Sequence, residues 1–221
     1  MKKAANIIEF KNYFFEGIYE LLTKDQFKLL KSKNTFELKT KLHLKSVEIY
    51  FYKRHDFIEI ETKAYFGNYE VDNLLKSTGV KYLNFDICGG SISHICTTYF
   101  NEAFPEKYEN LIYDINEDIS PVISAWKTYY ERYIKNFLND CTNPILLNHI
   151  VNDVDMHVTG LNLSYENRVL KSIPVALLAN LSNENLEKLV EEYSNALIEK
   201  KAKYSDKFEV VKNKLLIDIK K

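Results

Sequence analysis

The chain has 221 residues, 30 basic and 31 acidic, with 46% hydrophobic and 14% aromatic content, a composition that buries a core and excludes disorder, collagen and coiled coil as the main architecture. Only six glycines and four prolines occur, and no GxGxxG, GxxxxGK or GxSxG is present, which sets aside most nucleotide-binding readings and the nucleophile elbow. The net charge of −1 hides an asymmetry: residues 1–54 carry +6, residues 55–160 carry −9 and residues 161–221 carry +2, so the middle of the chain repels phosphate backbones and attracts basic partners.

Ile7, Phe10, Phe14, Ile18 and Leu21 recur at spacings of three and four, predicting a helix over 5–22. Thr23 followed by Gln26 has the form of a capping box and predicts a second, short helix through Leu30, closed at Asn34. From Phe36 to Phe66 the period changes to two. Phe36, Leu38, Thr40, Leu42 and Leu44 share one face, and then the phase flips to Val47, Ile49 and Phe51. A reversal at Lys45 and Ser46 would pair Leu44 with Val47 and restore a single apolar face; a bulge there, in one bent strand, is the competing reading. A second reversal across Lys53 to Asp56 pairs Phe51 with Ile58, Ile49 with Ile60 and Val47 with Thr62, completing a three-stranded antiparallel meander.

Gly67 and Asn68 break the pattern before a short helix through Val71, Leu74 and Leu75 that ends near Gly79. Leu83, Phe85 and Ile87 alternate again, and a tight reversal at Gly89 and Gly90 leads to Ile92 and Ile95, giving one or two further strands. An irregular acidic stretch runs from Asn101 to Asp118. Ser120 with Pro121 then starts a helix whose stripe is Val122, Trp126, Tyr129, Tyr133 and Phe137. Asn143 with Pro144, and Ser172 with Pro174, repeat that signal, and two last helices span 183–202 and 205–219. The expected class is α+β: an N-terminal antiparallel β-meander with helices over 1–118, followed by a helical half over 119–221 packed onto it.

Three constellations bear on chemistry. The outer face of the meander gathers His43, Glu48 and Glu61 in one row and Lys41, Tyr50 and Glu59 in the next. Glu61, Thr62 and Lys63 spell the ExK half of a metal-dependent nuclease motif, with Glu48 or Asp56 as second ligand and Lys63 polarising water. The competing reading is a solvated strand face with paired charges. Tyr50, Tyr52, Phe57 and Tyr65 on that face could stack single-stranded bases; cover by the C-terminal helices is the expectation. Second, His149, Asp153 and His157, spaced four apart, would line one face of a continuous helix as metal ligands, against the plainer reading of a polar helix end. Third, Cys88, His94 and Cys96 flank Gly89 and Gly90; a reversal there sets the two thiols about 17 Å apart along the ladder, too far to share a metal, and puts His94 on the apolar face.

Lys2 and Lys3 are followed by Asn6, Glu9 and Lys11, which interrupt any signal-peptide core, and no apolar run approaches the roughly 18 residues that cross a bilayer. Three cysteines without a CxxC pair argue against a disulfide framework. A reducing cytoplasm is expected, with no cofactor, no membrane partner and no duplex nucleic acid.

Phe27, Lys28, Leu29 and Leu30, the meander from Phe36 to Phe66, and the segments Leu177 to Leu181 and Leu189 to Tyr193 together follow an order that resembles an uncharacterised bacterial domain family with no assigned function. The likeness rests on hydrophobic spacing and departs at Asn34, Thr35 and Phe36, where a glycine and a phenylalanine are expected. Related families include immunity proteins of toxin systems, so the resemblance implies a protein partner, a basic toxin being the natural candidate. The function expected is therefore a non-catalytic cytoplasmic binding protein of immunity or inhibitor type, using the acidic segment between His55 and Asp155. The alternative is a metal-dependent hydrolase or nuclease using Glu48, Glu59, Glu61 and Lys63.

Overall fold

Asn6 opens the first helix. In the computed structural model, which describes residues 2–82, 84–104, 111–153, 161 and 164–216, its side chain accepts from the Ile8 and Glu9 amides, both at 3.0 Å, satisfying donors that the first turn leaves free. Helix α1, Ile7–Lys24, buries Phe10, Phe14, Ile18 and Leu22. The short helix expected after it is a strand instead, β1 (Lys28–Leu30). Gln26 sits at φ +68, where a helix cannot continue, and the Thr23 hydroxyl donates back to Tyr19 O at 2.9 Å instead of capping a new turn. Asn34, at φ +51, closes a 3-10 turn over Lys31–Lys33.

β1 pairs antiparallel with β2 (Thr35–Lys39), Leu29 opposite Phe36. β3 (His43–Arg54) and β4 (Phe57–Asn68) meet across the reversal expected at residues 53–56. The reversal before β3 falls at 40–42, not at Lys45 and Ser46. Those two residues lie within one continuous strand and are both buried; neither a reversal nor a single strand bent at Lys45 and Ser46 is observed, and the phase flip comes from the turn at 40–42 that separates β2 from β3. α2 (Tyr69–Ser77) takes its cap from Asn68, which accepts from Glu70 and Val71. Gly89 and Gly90 do not form a reversal; they sit inside β5 (Cys88–Ser91), and Ile92 onward is helical, α3 (Ile92–His94) running into a π turn over Ile95–Tyr99. β6 (Ile112–Asp114), in the stretch expected to be irregular, pairs with the start of β4, Tyr113 opposite Ile58. The sheet is antiparallel and six-stranded, in the order β1-β2-β3-β4-β5 with β6 on β4, and the class is α+β.

α4 (Ser120–Tyr129) starts as expected with proline in its first turn, but Ile119 rather than Ser120 is the N-cap and no side chain caps it; Asp118 accepts from the Ser120 amide and hydroxyl just ahead. A π turn, Tyr130–Ile134, precedes α5 (Lys135–Asp140). The extra residue rotates the stripe, so Tyr130 is fully buried in place of Tyr129. α6 (Pro144–Asn148) is capped by Asn143 and leads into a π turn over His149–Asp153. Ser172 and Pro174 do not start a helix. They lie inside α7 (Tyr165–Leu178), capped by Ser164, and the Ser172 hydroxyl bonds to Val169 O at 2.7 Å. α8 (Asn183–Glu199) and α9 (Ser205–Leu215) follow.

Compactness groups Met1–Thr40, Lys45–Tyr65 and Gly90–Leu138 as a first unit and Lys41–Leu44, Phe66–Gly89 and Asn139–Lys221 as a second. The first unit is built on aromatics: Phe10, Phe14 and Phe15 surround Phe51, and Phe14 meets Trp126 edge-on. Gly17 permits this approach of α1 to α4, since a Cβ there would lie 2.6 Å from Ile123 Cδ1. The second unit buries Leu75, Val169, Ile173, Leu186, Tyr193 and Phe208. Among the described residues no helix is long and apolar enough to cross a membrane.

Candidate functional site on the sheet

Within the first unit, alternation decides which side chains stay in water. Val47, Ile49, Ile58, Ile60 and Ala64 are buried, and Thr62 joins them because its Oγ1 accepts from the Trp126 indole N–H at 2.9 Å. Their neighbours Glu48, Tyr50, Tyr52, Glu59, Glu61 and Lys63 must then point to the opposite face. That face is open: Tyr50 and Tyr52 are 38% and 39% exposed. Within this unit α1 and α4 both pack on the apolar side.

The two tyrosine rings lie parallel, with centroids 6.5 Å apart and an interplanar angle of 11°. Each phenol is tied to a carboxylate. Tyr50 Oη donates to Glu48 Oε2 at 2.5 Å, and Tyr52 Oη donates to Glu61 Oε2 at 2.9 Å. These bonds are the first cause of the raised pKa of both phenols, burial adding to it, so both hydroxyls are fixed as donors. Cations complete the lattice: Lys63 Nζ is 3.3 Å from Glu61 Oε1 and 5.0 Å from the Tyr50 ring centre. Arg54 Nε is 3.3 Å from Glu59 Oε2, its guanidinium 5.8 Å from the Tyr52 ring centre. Each such exposed pair contributes about 0 to 1 kcal/mol, but together they hold the rings in one orientation.

Glu61 bonds to Tyr52 on the neighbouring strand and to Lys63 on its own, and Glu59 pairs with Arg54. His43 lies against Phe66, 5.3 Å between ring centres. Glu48, Glu59 and Glu61 thus each serve a separate partner, and both oxygens of Glu61 are occupied. Among the described residues no group of three or more His, Cys, Asp or Glu could hold a metal ion.

His149 and Asp153 do meet, Nδ1 to Oδ2 at 2.8 Å, on the π turn with both side chains more than half exposed; His157 lies outside the described residues. Cys88 Sγ lies 3.6 Å from Cys141 Sγ, and His94 is exposed rather than on an apolar face.

Sequence reasoning missed the polar interior of the second unit. Lys171, 1% exposed, donates to three successive carbonyls, Asn84 at 2.6 Å, Phe85 at 3.1 Å and Asp86 at 2.5 Å. Burial pushes its pKa down to about 8, against the pull of Asp86. Arg168, equally buried, donates to Val151 O at 2.8 Å and to Tyr193 Oη at 3.1 Å. The one sequence signal for this is that α7 carries apolar residues on every side of Arg168 and Lys171, the mark of a helix buried all round.

No family model matches the chain, and neither the curated proteins nor the solved structures yield a match.

Proposed function

We propose that the protein is a non-catalytic binding protein that docks a basic protein partner on the open face of its sheet. The observation that carries this reading is the parallel, half-exposed pair Tyr50 and Tyr52, whose hydroxyls are fixed by Glu48 and Glu61. Rigid aromatic anchors with few rotatable bonds are what protein interfaces favour, because little side-chain entropy remains to be lost on docking. The border gives the sign of the partner. Phe57 pairs with Asp114 across β4 and β6, so Asp114 shares this face with Glu48, Glu59 and Glu61, carboxylates that border the two rings beside Arg54 and Lys63. Incoming lysines or arginines gain both carboxylates and ring faces, whereas a single-stranded nucleic acid would bring phosphates to an acidic rim. A toxin held inactive in the cytoplasm is the biological form of partner that this surface, and the resemblance to immunity proteins, suggest.

A photo-crosslinking phenylalanine analogue in place of Tyr52, introduced in the native host, tests the reading. The expected product is an adduct with one predominant basic protein, diminished by raised salt and by Glu59→Lys. Adducts with nucleic acid, with acidic proteins, or with no predominant species overturn it.

A further inference from the structure

A second candidate site lies wholly within the other unit. Asn148 and Asn152, one turn apart on α6 and the π turn after it, face Leu181 and the first half of α8 across a cleft of about 530 Å³. That volume falls in the range of small-molecule sites. Asn185, Leu189 and Glu192 share one stripe of α8 and complete the lining.

What distinguishes this cleft from an ordinary surface depression is the hydrogen-bond chain behind it. The buried Arg168 guanidinium donates to Tyr193 Oη at 3.1 Å, Tyr193 Oη donates to Asn152 Oδ1 at 3.1 Å, and Asn152 Nδ2 donates to Asn148 Oδ1 at 2.8 Å. Asn152 Nδ2 also reaches Ser172 O at 3.1 Å, which holds its amide in place. Every step runs in the same direction, away from the cation, so each donor is strengthened by the one before it. The chain ends at Asn148 Nδ2, which has no acceptor among the described residues although Asn148 is 8% exposed and lines the cleft. A polarised donor left open toward a cleft is free to take an oxygen from outside.

The charges around it indicate what carries that oxygen. Lys188 Nζ is already paired with Glu184 at 2.7 Å, and Asp153 with His149 at 2.8 Å. The groups left to a ligand are the Asn148 donor, the Asn185 amide, which both donates and accepts, and the Glu192 carboxylate, which only accepts. An anion would meet Glu192 and Asp153. A bare cation would meet the Asn148 N–H, and no metal-holding cluster exists among the described residues. Hydroxyls satisfy donor and acceptor at once without bringing a charge, and Leu181 and Leu189 offer an aliphatic floor to the C–H face of a ring. We propose that this cleft binds a small neutral polyhydroxylated molecule of mono- or disaccharide size, its adjacent hydroxyls shared among Asn148, Asn185 and Glu192.

Titration of the full chain with D-glucose, D-galactose, D-mannose and lactose, followed by the side-chain amide signals in nitrogen–proton correlation spectra, tests this. The expected result is saturable shifts of the Asn148 and Asn185 amides with at least one sugar. Asn148→Asp keeps the oxygen that Asn152 requires and removes the outward donor; it should weaken binding about tenfold, the value of one hydrogen bond to a good partner. Asn185→Ala, on the exposed side, should weaken it as well and serves should the first variant fold poorly. No saturable shift with any of the four sugars, saturation by acetate or methylammonium instead, or undiminished affinity in Asn185→Ala overturns the proposal.

Discussion

The two compact units solve the same problem of burial with opposite materials. In the first, rings fill the space between α1, α4 and the sheet, and Thr62 inside finds its partner in the Trp126 indole. In the second, the central helix α7 buries Asn167, Arg168, Lys171 and Ser172 along with its apolar residues. The difference follows from what each helix packs against. α1 and α4 face strands, whose backbone groups are consumed by the ladder, so only side-chain shape matters. α7 faces backbone outside any strand, residues 84–87 and Val151, whose carbonyls need donors that no ladder supplies. Asn167 Nδ2 reaches Asp86 O at 3.0 Å and Lys171 Nζ reaches three carbonyls from Asn84 to Asp86. Charged side chains there replace secondary structure.

Truncation should therefore act through different losses in the two units. Trp126→Ala removes a fully buried indole and is expected to cost about 3 to 5 kcal/mol by chemical denaturation. Lys171→Met preserves bulk but leaves the Asn84 and Phe85 carbonyls without this donor and Asp86 O with Asn167 alone, at about 2 to 4 kcal/mol. Hydrogen exchange separates them locally: Lys171→Met should release amides in peptides covering residues 84–89 and 165–178, and Trp126→Ala those of α1 and β4. If Lys171→Met leaves exchange at 84–89 unchanged, the ammonium is not what orders that segment.

Proton linkage gives a second, smaller contrast. Lys171 has its pKa lowered to about 8 from an ordinary 10.5 by burial. Between those values the unfolded chain holds a proton that the folded chain has released, so stability contributed by this group rises with pH, by up to about 1.4 kcal/mol per pH unit. The raised tyrosines of the first unit act in the opposite sense: Tyr130, buried and bonded to Asp25 at 2.8 Å, keeps its proton when the unfolded phenol loses it, so its contribution falls above about pH 10. Unfolding free energy of the wild type minus that of Lys171→Met, measured from pH 7.5 to pH 10, should climb with pH; a flat difference would mean that the three carbonyls hold the ammonium fully charged throughout.

The same division governs what could be read from the letters. α1, α8 and the alternation of β4 were legible because water lies on one side of each element and apolar residues mark the other. The turn before β3 was misplaced because Lys45 and Ser46, two polar residues in succession, look like a loop when they are in fact buried in a strand. α7 was given the wrong start for a related reason: Ser172 and Pro174 imitate a cap when the helix around them is wholly buried and Ser172 bonds back to Val169. The identity of the outward side chains, Glu48, Tyr50, Glu59, Glu61 and Lys63, followed from parity alone. The Asn148 cleft left no trace at all, since it joins α6 to α8 through Tyr193 and Arg168, residues that periodicity assigns simply to a core.

The smallest expected effect concerns those outward carboxylates. Glu61→Gln removes a charge from a lattice in which Glu61 holds Tyr52 and Lys63, yet both partners remain solvated, so stability should change by less than about 0.5 kcal/mol. The phenol of Tyr52, no longer bonded to a carboxylate, should titrate lower, nearer its ordinary 10, which ultraviolet difference spectra can follow. Mg²⁺ or Mn²⁺ should leave the melting temperature of wild type and variant alike, because each glutamate is committed to a different neighbour and none converges with another. A metal-dependent rise in melting temperature that Glu61→Gln abolishes would show instead that the carboxylates regroup around a cation, and would turn the open face from a docking surface into a hydrolytic centre with Lys63 beside it.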